Sequence, residues 1–211
     1  MEAGFSPKNH HIHLEKHIPV SSGLGGGSSN VAAYLRCLAD MMALSNLDKH
    51  QLYSLAGDIG ADIPVCLQPG YQIMEGTGTD VRPATLKEKK LFCVLANPGV
   101  SVSTAGVFSE LQDTDFSSNL KPFPSQVELR LEDVIARGND LYRPAIQTFP
   151  EIATLLKQIR QSSVVDQLSG TGMSGSGASC FALSTSADVI EQLCDELTAN
   201  CYWAVATRLI N

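Results

Sequence analysis

Pro19-Val20-Ser21-Ser22-Gly23-Leu24-Gly25-Gly26-Gly27-Ser28-Ser29-Asn30 is the stretch that decides how this chain reads. Four of the five residues from 23 to 27 are glycine. Glycine packs nothing and loses the most backbone entropy on folding, so such a run is not there for a core. It suits a place where the backbone itself comes close to something. An alternating apolar pattern precedes the run and an alanine-rich helical pattern follows it. A strand, glycine loop and helix in succession gather free N–H groups and the positive helix end at one point, which makes an anion site. A flexible linker is the other reading of this composition, but linkers do not separate a regular strand from a long helix. The stretch predicts a phosphate-binding loop.

It is neither of two familiar phosphate motifs. Asn30 stands where G-x-x-x-x-G-K-[ST] needs its lysine and hydroxyl, and the third glycine of G-x-G-x-x-G falls on Ser28. Ser28 and Ser29 can place hydroxyls on a phosphate or a magnesium ion, or one of them can cap the following helix.

Upstream, Ile12, Leu14 and Ile18 alternate with His11, His13, Glu15 and His17, the period of a half-buried strand over 10–18. The histidines read as solvated strand-face residues, since nothing in their spacing matches a metal site. Downstream, Ser29 or Asn30 caps a predicted buried helix from Val31 to Leu44. A second runs from Asp48 to Asp58 with Leu52, Leu55 and Ala56 inward, ended by Gly57 or Gly60. Gly60-Ala61-Asp62-Ile63-Pro64 reads as a tight turn leading into an apolar strand to Leu67. A short strand over 71–75, a hairpin at 76–80 and the polar run 87–90 mark a domain junction.

Leu91 to Ala96 reads as a buried strand ending in Asn97-Pro98-Gly99, with a helix from Ser103-Thr104 and a loop over 113–126. Helices are predicted over 128–136, 139–148 and 151–161. A second glycine-rich loop follows at 169–179, then a strand over 180–183, a capped helix over 186–200 and a strand over 202–209. Strand, helices, strand, helix, strand predicts an α+β sandwich layer.

The 211 residues carry a net charge of −7, which argues against nucleic acid or an anionic membrane as the main partner. An anionic substrate would have to be met by local backbone donors. The six cysteines form no C-x-x-C pair and sit mostly in apolar runs, so they read as buried free thiols of a reducing compartment. The default location is cytoplasmic.

The glycine loop, Gly60-Ala61-Asp62-Ile63-Pro64 and Gly172-Met173-Ser174-Gly175-Ser176-Gly177-Ala178 together resemble the motifs of the GHMP kinases. The triple glycine before Ser28-Ser29-Asn30 is most similar to the branch acting on 4-diphosphocytidyl-2-C-methyl-D-erythritol. So are Asn97 to Thr104 and Gly138-Asn139-Asp140-Leu141. The resemblance runs in order from about Lys8 to about Arg208. It implies an α+β, two-layer α/β fold: a truncated ribosomal-S5-like nucleotide-binding domain over 1–85 and a ferredoxin-like sandwich over 86–211. It implies a kinase of isoprenoid precursor synthesis, using ATP and Mg²⁺ on the 2-hydroxyl of that small molecule.

By the same resemblance, Pro19 to Ser29 wrap the ATP phosphates and Asp62 is the catalytic acidic residue. Phe108 stacks on cytosine, with Asn30, Thr104, Gly175, Ser176 and Gly177 on the substrate side. Read alone, Asp62 fits a turn and Phe108 fits a core. A homoserine- or mevalonate-type kinase, or a non-catalytic nucleotide-binding remnant, stays open.

The family pattern also opens with Pro-Ala-Lys, whose lysine pairs with the catalytic aspartate. No Pro-Ala-Lys occurs in this chain, and Lys8 and Lys16 lie too near the loop to replace it. The expectation is a shortened chain, or one that acts with another, keeping a nucleotide pocket but with little transfer activity alone.

Overall fold

A computed structural model describes residues 11–41, 49–76, 78, 80–112, 116–117, 123 and 128–210. Its largest core is a four-stranded antiparallel sheet in the order β6-β7-β4-β8, formed by Gly170–Met173, Cys180–Ser184, Phe92–Asn97 and Trp203–Arg208. That order, with helices in the β4–β6 and β7–β8 connections, is the ferredoxin-like arrangement expected. The fold is α+β.

Helices α7 (Pro150–Arg160) and α8 (Ala187–Ala199) pack on this sheet. In α7, Ile152, Leu155, Leu156 and Ile159 recur at helical spacing and are at most 2% exposed. Pro150 opens that helix, where its missing N–H has no intrahelical role. In α8 the Ser186 hydroxyl accepts from the Val189 N–H, capping the helix above a buried Ile190 and Leu193. Burying one such leucine contributes roughly 1.5–3 kcal/mol.

The other half contributes helices α1 (Gly26–Met41), α2 (Lys49–Ile59) and α3 (Ile63–Cys66), then the hairpin β1 (Gln72–Glu75) and β2 (Asp80–Pro83). Two-residue strands β3 (Thr85–Leu86) and β5 (Glu128–Leu129) pair in parallel below α5 (Leu131–Ala136). Helices α4 (Thr104–Ser109) and α6 (Tyr142–Thr148) complete the order. No helix of the described residues is long and apolar enough to cross a membrane.

Several expectations are corrected. Residues 11–18 form no strand; Ile12 and Leu14 are 63% and 54% exposed, because no described strand supplies the neighbouring ladder. Helix α1 begins at Gly26, so Gly26 and Gly27 are helical and Ser29 and Asn30 lie inside the helix instead of capping it. It buries only Ala32 and Leu35 and is not a buried helix. In α2 Leu55 is 48% exposed, Gly57 is internal and Gly60 follows the end. Residues 63–66 are a helix, since Pro64 cannot donate to a ladder but fits a first helical turn. Glu128–Leu129 is strand β5, not the start of a helix, and Asn139 precedes its helix.

Four of the eleven residues of the second glycine loop, Gly170–Met173, form strand β6. Its glycines serve packing: a Cβ on Gly172 would lie 2.8 Å from the ring of its cross-strand partner Phe181. The residues predicted at 10, 44 and 48, and most of the 113–126 loop, lie outside the described set.

The thiols also divide. Cys93 and Cys180 are buried, and burial pushes both up to about 12, outweighing at Cys180 the opposing pull of Arg160. Cys37 and Cys201 are exposed, contrary to the buried-thiol reading. An aromatic disulfide reagent at neutral pH should therefore label Cys37 and Cys201 rapidly and reach Cys93 and Cys180 only on unfolding. Mass mapping that found Cys93 modified in the folded protein would contradict this packing.

Candidate active site

The first turn of α1 is built for a guest. The Ser29 N–H reaches the Gly25 carbonyl at 2.9 Å, so the N–H groups of Gly26, Gly27 and Ser28 have no intrahelical acceptor. Just before them Ser21, Gly23 and Gly25 take positive φ values of 55°, 72° and 63°, while Ser22 and Leu24 do not. Such alternation folds successive N–H groups into an anion-binding concavity. A Cβ on Gly25, Gly26 or Gly27 would meet nothing within 4 Å. The protein's own packing therefore does not demand glycine at 26 and 27, where the backbone lies open, while Gly25 also carries a positive φ.

Gly23 is glycine for another reason. A Cβ there would lie 2.4 Å from the Gly177 carbonyl oxygen and 2.5 Å from that of Ser174. The two glycine turns touch backbone to backbone. The Ser174 hydroxyl donates to the Gly23 carbonyl at 2.9 Å, and the Ser179 N–H donates to the Ser22 carbonyl at 3.0 Å. Asn97, at the end of β4 and 1% exposed, donates to the Ser179 hydroxyl at 3.0 Å. Its carbonyl oxygen accepts from the Gly99 N–H at 2.8 Å, turning the chain toward α4. At the start of α4, Thr104 and Ser176 share a hydroxyl–hydroxyl bond of 3.0 Å.

These elements enclose a cavity of about 460 Å³. Pro19 to Ser28 form one wall; Asn30, Asp62, Thr104, Phe108, Gly175 and Ser176 also line it. Two expected residues do not. The Ser29 hydroxyl points to the Cys66 sulfur at 3.7 Å, and Gly177 packs toward Met173 and Ile152. Phe108 is 54% exposed, which removes the core reading of that ring.

Asp62 occupies the N-cap position of α3, but its side chain makes no capping bond there. The exposed carboxylate faces the same cavity as the glycine loop. Arg36 of α1 donates to the Cys66 and Leu67 carbonyls at 2.7 and 3.2 Å, closing the other end of α3. Loop, α1, α3 and Asp62 thus form one unit. For Mg²⁺, the donor set fits: that ion takes one or two carboxylates plus phosphate oxygens and water, and Asp62 and the Ser28 hydroxyl share the cavity. Among the described residues no group of three or more His, Cys, Asp or Glu could hold a metal by itself.

Some wall residues were missed. Glu15 to Ile18 line the cavity, Lys16 among them despite its closeness to the loop in sequence. Leu141 lines it too, within the Gly138-Asn139-Asp140-Leu141 stretch. Arg36 carries no sequence signal, and Ser174 stands in the second glycine motif with no sign of its bond, because their partners are backbone carbonyls 30 and 151 residues away.

Residues 1–70 match the GHMP kinases N terminal domain and 128–202 the GHMP kinases C terminal. The chain is 39% identical over 186 residues to a 4-diphosphocytidyl-2-C-methyl-D-erythritol kinase of Granulibacter bethesdensis, covering 86% of this chain and 58% of that one. With the Xanthobacter autotrophicus protein of the same name, identity is 38% over 210 residues, covering 93% and 69%. The chain thus spans between about three-fifths and two-thirds of the length of such relatives. A crystal structure of 4-(cytidine 5'-diphospho)-2C-methyl-D-erythritol kinase superposes with a TM-score of 0.73 at 30% identity, covering 93% of this chain and 69% of that one. Homoserine kinase from Cytophaga hutchinsonii shares the fold, at TM-score 0.59 and 18% identity over 92% of this chain and 68% of its own. The chain belongs to the 4-diphosphocytidyl-2-C-methyl-D-erythritol kinase family of the GHMP kinases.

Proposed function

We propose that this chain carries the site of an ATP-dependent kinase acting on the 2-hydroxyl of 4-diphosphocytidyl-2-C-methyl-D-erythritol in non-mevalonate isoprenoid synthesis. The observation that carries it is the open space at Gly25, Gly26 and Gly27, beside unpartnered helix N–H groups and opposite an uncapped Asp62. Phosphoryl transfer needs positioning and charge stabilisation more than covalent help, and this arrangement offers both.

The loop from Pro19 to Ser28 cradles the ATP phosphates, its N–H groups stabilising the charge that spreads over the transferred phosphoryl oxygens. Asp62 holds the acceptor hydroxyl and takes its proton. Phe108 stacks on the cytosine ring, while Asn30, Thr104 and Ser176 orient the sugar alcohol. Mg²⁺, held near the Ser28 hydroxyl, would neutralise phosphate charge. We assign residues 1–85 to the nucleotide-binding unit and 86–211 to the second domain; the core clusters around Ala32 and around Val94 lie on either side, and the cluster of Leu86 and Leu91, with Tyr71 against it, bridges them. Six free thiols support a cytoplasmic setting.

In a thermal-shift assay the cytidine diphosphate compound should raise the melting temperature by several degrees at about 100 Kd, and homoserine and mevalonate should not. No shift with the cytidine compound counts against this acceptor. Asp62→Asn should leave ADP affinity within about twofold and lower transfer by roughly 10²–10⁴-fold. Retained turnover would remove Asp62 from its role. Gly26→Ala should raise helix stability by up to about 1 kcal/mol yet weaken ADP binding roughly tenfold, since the methyl occupies phosphate space. Unchanged ADP affinity in that variant, measured by calorimetry, would show that no phosphate approaches Gly26.

A further inference from the structure

Asn139 follows α5 and belongs to no helix or strand, yet all three of its side-chain bonds are specific. Its Nδ2 donates to the Met173 carbonyl at 3.0 Å and to the Gly175 carbonyl at 2.8 Å. Its Oδ1 accepts from the Leu141 N–H at 3.0 Å. Only one orientation of the amide satisfies all three, because both carbonyls need a donor and the Leu141 N–H needs an acceptor. Both carbonyls belong to the second glycine turn or the end of β6, and Leu141 lines the cavity beside Gly175 and Ser176.

The turn closes on itself through the Gly177 N–H to the Ser174 carbonyl at 2.9 Å, and Asn139 adds the tie from the segment after α5. Gly175 has φ +53°, and a Cβ on it would lie 3.1 Å from the Gly23 carbonyl oxygen, so its place against the first loop has little tolerance. We infer that Asn139 is a positioning residue of the active site, clamping the second glycine turn against the phosphate loop so that Ser176 and Gly175 meet the substrate in register. The inference rests on the kinase reading for its function, but the clamp itself is testable without it.

Asn139→Asp keeps the shape and the acceptor for Leu141 but removes both donors, and it sets a carboxylate against two carbonyl oxygens. A residue that merely filled space would tolerate this change. Amide hydrogen exchange over 174–177 should rise about tenfold while β4, at 92–97, stays as in the parent chain. ADP affinity should fall about tenfold. That deficit, taken as a ratio to the parent at each pH, should narrow from about pH 8 to about pH 5.5. The carbonyls raise the introduced carboxyl's pKa, and its protonated form regains one donor. Asn139→Ala should show a deficit with no such pH trend. Arg137, Asp140, Tyr142 and Arg160 line the cavity behind the clamp and are common to both variants, so they cancel in the comparison.

Unchanged exchange over 174–177 in Asn139→Asp overturns the clamp, as does an equal rise in β4, which would signal general destabilisation. If Asn139→Asp does not fold, the exchange pattern of Asn139→Ala decides the same question. Should the parent chain bind no ADP, the kinase reading falls while the exchange result still judges the clamp.

Discussion

The rest of the site depends on a contact too close to admit a side chain on Gly23. Gly23 and the turn from Ser174 to Gly177 meet through their backbones, at a separation that a single Cβ would violate by more than half an ångström. This contact joins the first glycine loop, in one half of the chain, to the end of the ferredoxin-like sheet of the other. The hydrogen bonds sealing it, Ser174 to Gly23 and Ser179 to Ser22, are each worth only about 1 kcal/mol net. Their value lies in geometry, since they set where the loop's N–H groups point.

Around that seam two rigid pieces divide the work. Helix α1 presents its unpartnered first turn, and Arg36, two turns further on, ties it to the helix that Asp62 precedes. The loop's N–H groups and the Asp62 carboxylate are thereby tied into one unit. On the other side Asn97 turns the end of β4 into α4, and Thr104 meets Ser176 across the gap. Glycines at 26 and 27 weaken α1 by up to about 1 kcal/mol each relative to alanine, and no neighbouring atom within 4 Å of a Cβ requires them.

Local rules succeeded where they concerned the chain's own near neighbours. The glycine loop, the buried strand at Leu91 to Ala96, the Ser103 and Ser186 caps and the amphipathic α7 were all readable from spacing and capping residues. They failed where a partner decides. The alternation at Ile12, Leu14 and Ile18 is a strand signal, yet extended backbone becomes a strand only beside another that pairs with it. Pro64 tips an apolar run into a helical turn because Ile63 and Pro64 are buried against α1 and α2. Gly170 and Gly172 look like loop residues until Ile135 and Phe181 occupy the space where their side chains would be.

By itself the sequence determined that a glycine-rich loop leads into a helix, that an acidic turn and a second glycine turn accompany it, and which kinase family such motifs match. Those are properties of residue type and order. Only the tertiary structure decided that Ser28 faces the cavity while Ser29 turns to Cys66, that Phe108 is exposed, and that Asn139, Arg36 and Ser174 hold the site together. Each of those outcomes depends on carbonyls or sulfurs contributed by distant segments, and a hydrogen-bond partner far along the chain leaves no trace in local spacing.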